Sequence, residues 1–198
     1  DEAIKYYEKG ISIKPDYAMI YSNLGNIYKI KEKYEDAENC YKKSITLNDK
    51  LPEPQNNLGN LYIYLNKYTE AINSFKKSIK NNINFYIAYF NLGILYKNIG
   101  NIDESKKCLH KAINLNPNFC SAHRAYSQVN KYKIGDKHIN VMENLYKQNN
   151  LSALNKMEIT FALGKAFDDI KNYKKAFKYY SEGNFIRRSK LIFSFKDE

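Results

Sequence analysis

The chain has no tryptophan, four prolines, eight glycines and three cysteines. Without tryptophan, its aromatic bulk falls to ten Phe and nineteen Tyr, and so many Tyr are unusual. The cysteines, Cys40, Cys108 and Cys120, are odd in number and form no Cys-x-x-Cys pair. That pattern indicates neither a disulfide framework nor a zinc site, and it fits a reducing, cytoplasmic compartment. No apolar run approaches the roughly 18 residues of a membrane-spanning helix, and no signal peptide is evident. Acidic residues are outnumbered, giving a net charge of +11. A basic balance permits association with nucleic acid, acidic protein or anionic lipid without choosing among them. The lysines are dispersed at helical spacing, as in Lys42-Lys43, Lys76-Lys77 and Lys106-Lys107. They read as solvated faces, which favours solubility over nucleic-acid binding.

What the chain does have is metre. Asn23-Leu24-Gly25-Asn26-Ile27-Tyr28 returns as Asn57-Leu58-Gly59-Asn60-Leu61-Tyr62 and as Asn91-Leu92-Gly93-Ile94-Leu95-Tyr96, each 34 residues after the last. A fixed period of that length marks a repeat architecture, not a single layered core. Each unit reads as two helices, with Ala18 to Ile30 and Tyr34 to Leu47 in the first. Gly25, Gly59 and Gly93 fall mid-helix, where Gly costs about 1 kcal/mol against Ala. Their recurrence points to close approach of a neighbouring helix, where a Cβ would clash. Ala37, Ala71 and Ser105 keep the facing helix small. Tyr7, Tyr28, Tyr41, Tyr62, Tyr89 and Tyr96 are expected in the core by register.

Leu-Gly, Tyr, Ala, aromatic, small residue and Pro at this spacing resemble the tetratricopeptide repeat (TPR). The resemblance implies an all-α, right-handed α-solenoid of antiparallel helix pairs whose first helices line a concave groove. The expected organisation starts with residues 1–17 as the second helix of a truncated repeat, with an apolar stripe of Ala3, Tyr7, Ile11 and Ile13. Three repeats then follow at 18–51, 52–85 and 86–119. A degenerate hairpin is expected at 120–150, with a first helix from Cys120 to Lys133 and a second from His138 to Tyr146. A terminal TPR-like hairpin at 152–190 restores the metre at Leu163-Gly164, and its last helix runs from about Tyr173 to Ser189. Residues 191–198 read as a stub towards a following domain.

A second resemblance covers the final third. Ala122-His123-Arg124, Phe161 to Asp169, Tyr173, Ala176-Phe177, Glu182-Gly183-Asn184 and Arg187-Arg188 resemble the segment that precedes the catalytic domain of bacterial TPR-linked sulfotransferases. It implies a C-terminal catalytic domain beyond this chain, which itself has no Gly-rich phosphate loop and no assigned cofactor, metal or catalytic residue.

The candidate binding residues are Asn23, Asn57 and Asn91, one per unit directly before Leu-Gly, with Asn26 and Asn60 extending the series. Similarity to a superhelical TPR enzyme family implies that such asparagines form a ladder along a bound peptide backbone. A side-chain amide carries donors and an acceptor that match a peptide unit whatever its sequence. The carboxylate clamp of chaperone-binding TPR domains is not expected. Its places fall on Ser22, Asn26, Asn57, Ile87 and Asn91, none of them cationic, so a terminal carboxylate lacks charge-assisted partners.

Elsewhere the residues read as structural. His110, His123 and His138 are expected to be isolated from one another and from acidic partners, with His123 packed. Adjacent Asp168 and Asp169 point about 100 degrees apart on a helix and are expected on a solvated face. Arg187, Arg188 and Lys190 are expected at a helix C-terminus, favoured there by the helix dipole. Cys120 is expected to be a packed thiol. The reading is a non-catalytic, protein- or peptide-binding scaffold, with the helical arm of a sulfotransferase as the alternative. A basic RNA-associated repeat ranks behind both, because the assignable groove places are mostly Asn, Ser, Ile and Phe.

Overall fold

The structure, a computed structural model, describes the backbone of residues 2–194 and side chains to Ser189. Among these residues it is all-helical: α1 (Glu2–Ile13), α2 (Ala18–Ile30), α3 (Tyr34–Leu47), α4 (Pro52–Tyr64), α5 (Tyr68–Asn81), α6 (Tyr86–Asn98), α7 (Ile102–Leu115), α8 (Cys120–Val129), α9 (Lys137–Tyr146), α10 (Ala153–Asp169) and α11 (Tyr173–Ser194). None of the described helices is long and apolar enough to cross a membrane. The chain divides into two compact units, Asp1–Leu95 and Tyr96–Glu198.

In the first unit the helices pair antiparallel. Ser44, near the end of α3, donates to the Ala18 carbonyl at the start of α2 at 2.7 Å, and Ser78 of α5 donates to the Pro52 carbonyl at 2.7 Å. Both hydroxyls are fully buried, so each bond satisfies a polar group that would otherwise be costly. The glycines are explained by aromatic rings. A Cβ on Gly25 would lie 2.7 Å from Cε1 of Tyr41, and one on Gly59 would lie 2.7 Å from Cε1 of Phe75. The ring sixteen residues on occupies the space that any other side chain would need.

Each hairpin turns through a left-handed residue, Glu32 (φ 59°) and Asn66 (φ 57°). The amide after it returns to the last helical turn, Lys33 N–H to the Tyr28 carbonyl at 2.9 Å and Lys67 N–H to the Tyr62 carbonyl at 2.8 Å. These bonds satisfy carbonyls that the helix leaves orphaned. Ala37, Tyr41, Leu58 and Leu61 form a core cluster, with Tyr34, Ile45 and Tyr62 packed against it.

The expected stripe on α1 is weaker than its sequence suggests. Ala3 and Ile13 are exposed, Tyr7 and Ile11 are half-buried, and α1 contains no buried residue. Among the tyrosines assigned to the core, Tyr41 and Tyr96 are buried, whereas Tyr7, Tyr28, Tyr62 and Tyr89 are half-buried. A phenol at those places keeps its edge towards water while the ring packs.

In the second unit α8 stops at Val129, four residues short of the expected Lys133, and a loop through Gly135 (φ 87°) leads to α9. Asp136 caps α9 by accepting from His138 N–H at 2.9 Å, and Ser152 caps α10 by accepting from Asn155 N–H at 3.2 Å. α10 and α11 repeat the glycine–ring contact, with a Cβ on Gly164 falling 2.7 Å from Cδ1 of Tyr180. Ile139, Met142 and Leu145 of α9 join Ile159, Leu163 and Phe167 of α10 in one core.

α11 continues to Ser194, so Arg187 and Arg188 lie inside the helix and not in its last turn. The dipole contact expected of them therefore does not arise, because the effect is confined to the terminal turn. The side chains of Lys190 and Leu191-Ile192-Phe193, and residues 195–198, lie outside the described residues.

Candidate peptide-binding face and comparison with known proteins

The asparagine series lies on the first helices of successive pairs, and two of its members bridge them. Asn57 of α4 donates from Nδ2 to Ser22 Oγ of α2 at 3.3 Å. Asn91 of α6 donates from Nδ2 to Asn56 Oδ1 of α4 at 2.9 Å. Donor and acceptor are 35 residues apart in both cases, so one repeat position reaches back to the place before its equivalent. Ser22 and Asn56, the acceptors, are buried. Asn57 and Asn91 are half-buried, and a side-chain amide that donates one N–H has a second N–H and an oxygen to offer. An amide tethered at one end is pre-oriented, which reduces the entropy lost when its other end binds something.

The remaining members differ. Asn26 accepts from the Tyr41 hydroxyl at 2.8 Å, so its side chain is bound to the second helix of its own pair. Asn23 and Asn60 are half-buried. Lys29 Nζ of α2 stands 5.8 Å from the ring centre of Tyr64 in α4, and that ring, two-thirds exposed, stacks on Tyr34 at 6.4 Å. Tyr64 was not singled out in the sequence, and its register place gives no warning of an exposed ring.

A separate cavity of about 530 Å³ lies among α3, α4 and α5, bordered by Lys42, Gln55, Tyr62 and Glu70. Tyr62 donates to Glu38 at 3.0 Å, and burial together with that carboxylate pushes the phenol up to about 12. Glu38 is held below its usual value, first by the hydrogen bond from Lys42.

Several expectations for the second unit need correction. The histidines are not isolated, since His123 Nδ1 lies 2.8 Å from His138 Nε2 and the two rings are near parallel with centres 5.0 Å apart. The fourteen residues between them fold back through the 130–136 loop, a path that their spacing did not reveal. Asp169 is not solvated, because its side chain is only 6% exposed. It accepts from Lys131 at 2.9 Å, from the Tyr132 amide at 3.0 Å and from Lys165. Burial raises its carboxyl, but these three donors outweigh that and leave it below the ordinary range. Arg124 pairs with Glu158 at 3.1 Å and lies over the Phe161 ring at 4.7 Å. Glu182 accepts from Tyr146 at 2.7 Å. Several residues that carry the sulfotransferase-like resemblance thus hold the second unit together. Cys120 is buried, and burial pushes its thiol up to about 11, away from thiolate chemistry. Among the described residues no three His, Cys, Asp or Glu side chains converge on a metal position.

No curated protein matches the chain. Solved structures do. "YrrB: a TPR protein with an unusual peptide-binding site" is 19% identical, covers 97% of this chain and 98% of its own, and superposes with a TM-score of 0.64. MamA is 22% identical over 87% of this chain and 88% of its own, with a TM-score of 0.57. The first TPR of Spaghetti (RPAP3), bound to the HSP90 peptide SRMEEVD, is 24% identical over 57% of this chain and 90% of its own, with a TM-score of 0.54. At these identities the likeness is one of fold, an all-α TPR-type solenoid of antiparallel helix pairs. Family models for the tetratricopeptide repeat match residues 16–82 and 86–119, and a TPR repeat model matches residues 1–30. Residues 1–119 therefore carry tetratricopeptide repeats, and through them the chain belongs to that family.

Proposed function

We propose that this chain is a protein-binding scaffold that holds an extended peptide along α2, α4 and α6, with Asn23, Asn57 and Asn91 reading the peptide backbone and Asn26 and Asn60 flanking them. The observation that carries this reading is the pair of tethered amides. Asn57 and Asn91 occupy one register place, are oriented by Ser22 and Asn56, and carry a second amide N–H and an oxygen that a peptide unit can match. The occurrence of peptide-binding proteins among the structural neighbours supports the same class of function. A carboxylate-rich peptide such as the HSP90 peptide SRMEEVD bound to RPAP3 is not the proposed ligand. Ser22, Asn26, Asn57, Ile87 and Asn91 offer no cation to a carboxylate.

The cysteine pattern supports a cytoplasmic site of action. A second reading keeps the same face and makes the chain the acceptor-presenting arm of a TPR-linked sulfotransferase; its support is the resemblance of residues 122–188, and sequencing beyond Glu198 decides it.

The test is a peptide array probed with the chain, followed by fluorescence anisotropy of the best binder. Asn57→Ala with Asn91→Ala is expected to weaken binding at least tenfold while circular dichroism keeps its helicity. N-methylating the ligand backbone is expected to do the same. Unchanged affinity in the double variant sinks the ladder.

A further inference from the structure

The second unit contains a continuous hydrogen-bond chain whose proton positions follow from one fixed end. His123 Nε2 lies 2.8 Å from the Pro117 carbonyl, and a carbonyl only accepts, so His123 carries its proton there. With neutral rings its Nδ1 is then an acceptor, and His138 donates to it from Nε2 at 2.8 Å. His138 Nδ1 is in turn an acceptor, and the Tyr132 hydroxyl donates to it at 2.8 Å. His123 is fully buried and Tyr132 nearly so. The chain ties the end of the α7–α8 turn, α8, the 130–136 loop and α9 to one another.

We propose that the His123–His138 pair is an acid-sensitive latch, which holds α9 and the 130–136 loop against α8 while neutral and releases them on taking up a proton. A proton on His123 Nδ1 places two donors face to face unless His138 changes tautomer. A proton on His138 Nδ1 reverses the Tyr132 hydroxyl. Either way one of two buried imidazoles, joined at 2.8 Å, becomes a cation. Access exists, because a cavity of about 560 Å³ bordered by His110, Tyr126, Asp136, Lys137 and Val141 reaches His138.

The surrounding groups set the sign. From α7, His110 faces Tyr126 at 6.0 Å, and Tyr126 of α8 meets His138 edge-on at 5.1 Å. On the loop and α9, the Asp136 carboxylate favours a cation while Lys137 opposes one. From α10, Lys165 Nζ stands 5.9 Å from the Tyr132 ring centre, and Asp169 accepts from the Tyr132 amide at 3.0 Å. Burial dominates, followed by the second imidazole, and His138 is lowered to about 4, with His123 lowered as well. A group depressed on closure contributes stability above its ordinary value of 6.5 and loses it as pH falls towards 4. For one proton, opening at pH 5 is roughly 30-fold greater than at pH 7.5.

Hydrogen exchange on the full chain at pH 7.5 and 5.0, corrected for intrinsic rates, tests this. Opening of residues 130–146 is expected to rise roughly 30-fold at pH 5.0 while residues 34–65 stay unchanged, and His138→Gln is expected to abolish most of the rise. If that variant does not fold, nitrogen NMR of the unaltered chain at pH 7.5 must show both imidazoles protonated at Nε2, and one titrating below pH 5. A pH-insensitive 130–146 segment, a rise that survives in folded His138→Gln, or the other tautomer on either ring overturns the latch.

Discussion

Replacing Gly59 by Ala asks whether the recurring glycine is demanded by the ring opposite it. A Cβ there would stand 2.7, 2.8 and 3.0 Å from Cε1, Cδ1 and Cζ of Phe75. Ordinary carbon contacts lie at about 3.5–4.0 Å, so the ring must retreat by up to an ångström. Phe75 is fully buried, which leaves it little room to do so. Overpacking of this kind costs about 1–3 kcal/mol, and the better helix propensity of Ala returns about 1 kcal/mol. The net expectation is a loss of about 0–2 kcal/mol, read as a lower midpoint in urea denaturation followed by circular dichroism. The decisive arm is the background Phe75→Leu. With the ring removed, the same Gly59→Ala change should be neutral or stabilising by up to about 1 kcal/mol. If Gly59→Ala is stabilising in the unaltered chain, or costs the same in both backgrounds, the ring is not what requires the glycine.

Two further substitutions probe the second unit. Lys171 turns the last hairpin at φ 61°, where the equivalent turn before α7 uses Gly100 at φ 82°; Lys171→Gly is expected to stabilise by about 0.5–1 kcal/mol, measured by thermal denaturation. Asp169→Asn is expected to cost about 2 kcal/mol at pH 7, because it weakens hydrogen bonds made to a charge. Asp169 is held below its ordinary value of 3.8, so this contribution is present above that value and is lost as pH falls through the depressed one. Urea denaturation at pH 7 and pH 3 should show a deficit that shrinks at the lower pH.

The all-helical class was legible in the sequence because it depends on local, repeated information. Leu24, Leu58 and Leu92 recur every 34 residues, and each unit carries the same glycine and small residues. Helical periodicity of apolar residues is a short-range signal, and its recurrence identifies the stacking unit. The asparagine register was legible for the same reason. That Asn57 and Asn91 are tethered while Asn26 is bound to Tyr41 was not, because equal positions in the metre meet different partners in space.

Where the metre fails, sequence reasoning failed with it. Between Val129 and Lys137 the period offers no template, and the loop brings His138 onto His123 and Tyr132 by contacts no spacing rule encodes. Asp169 looked solvated because a helix wheel sees its own helix but not Lys131 and Tyr132, 38 and 37 residues away. The sequence by itself determined the repeat, its helices and the faces they can bury, all properties of residues within one turn or one period. The tertiary structure alone decided which polar groups are buried, paired and shifted, since desolvation and hydrogen bonding depend on neighbours distant along the chain.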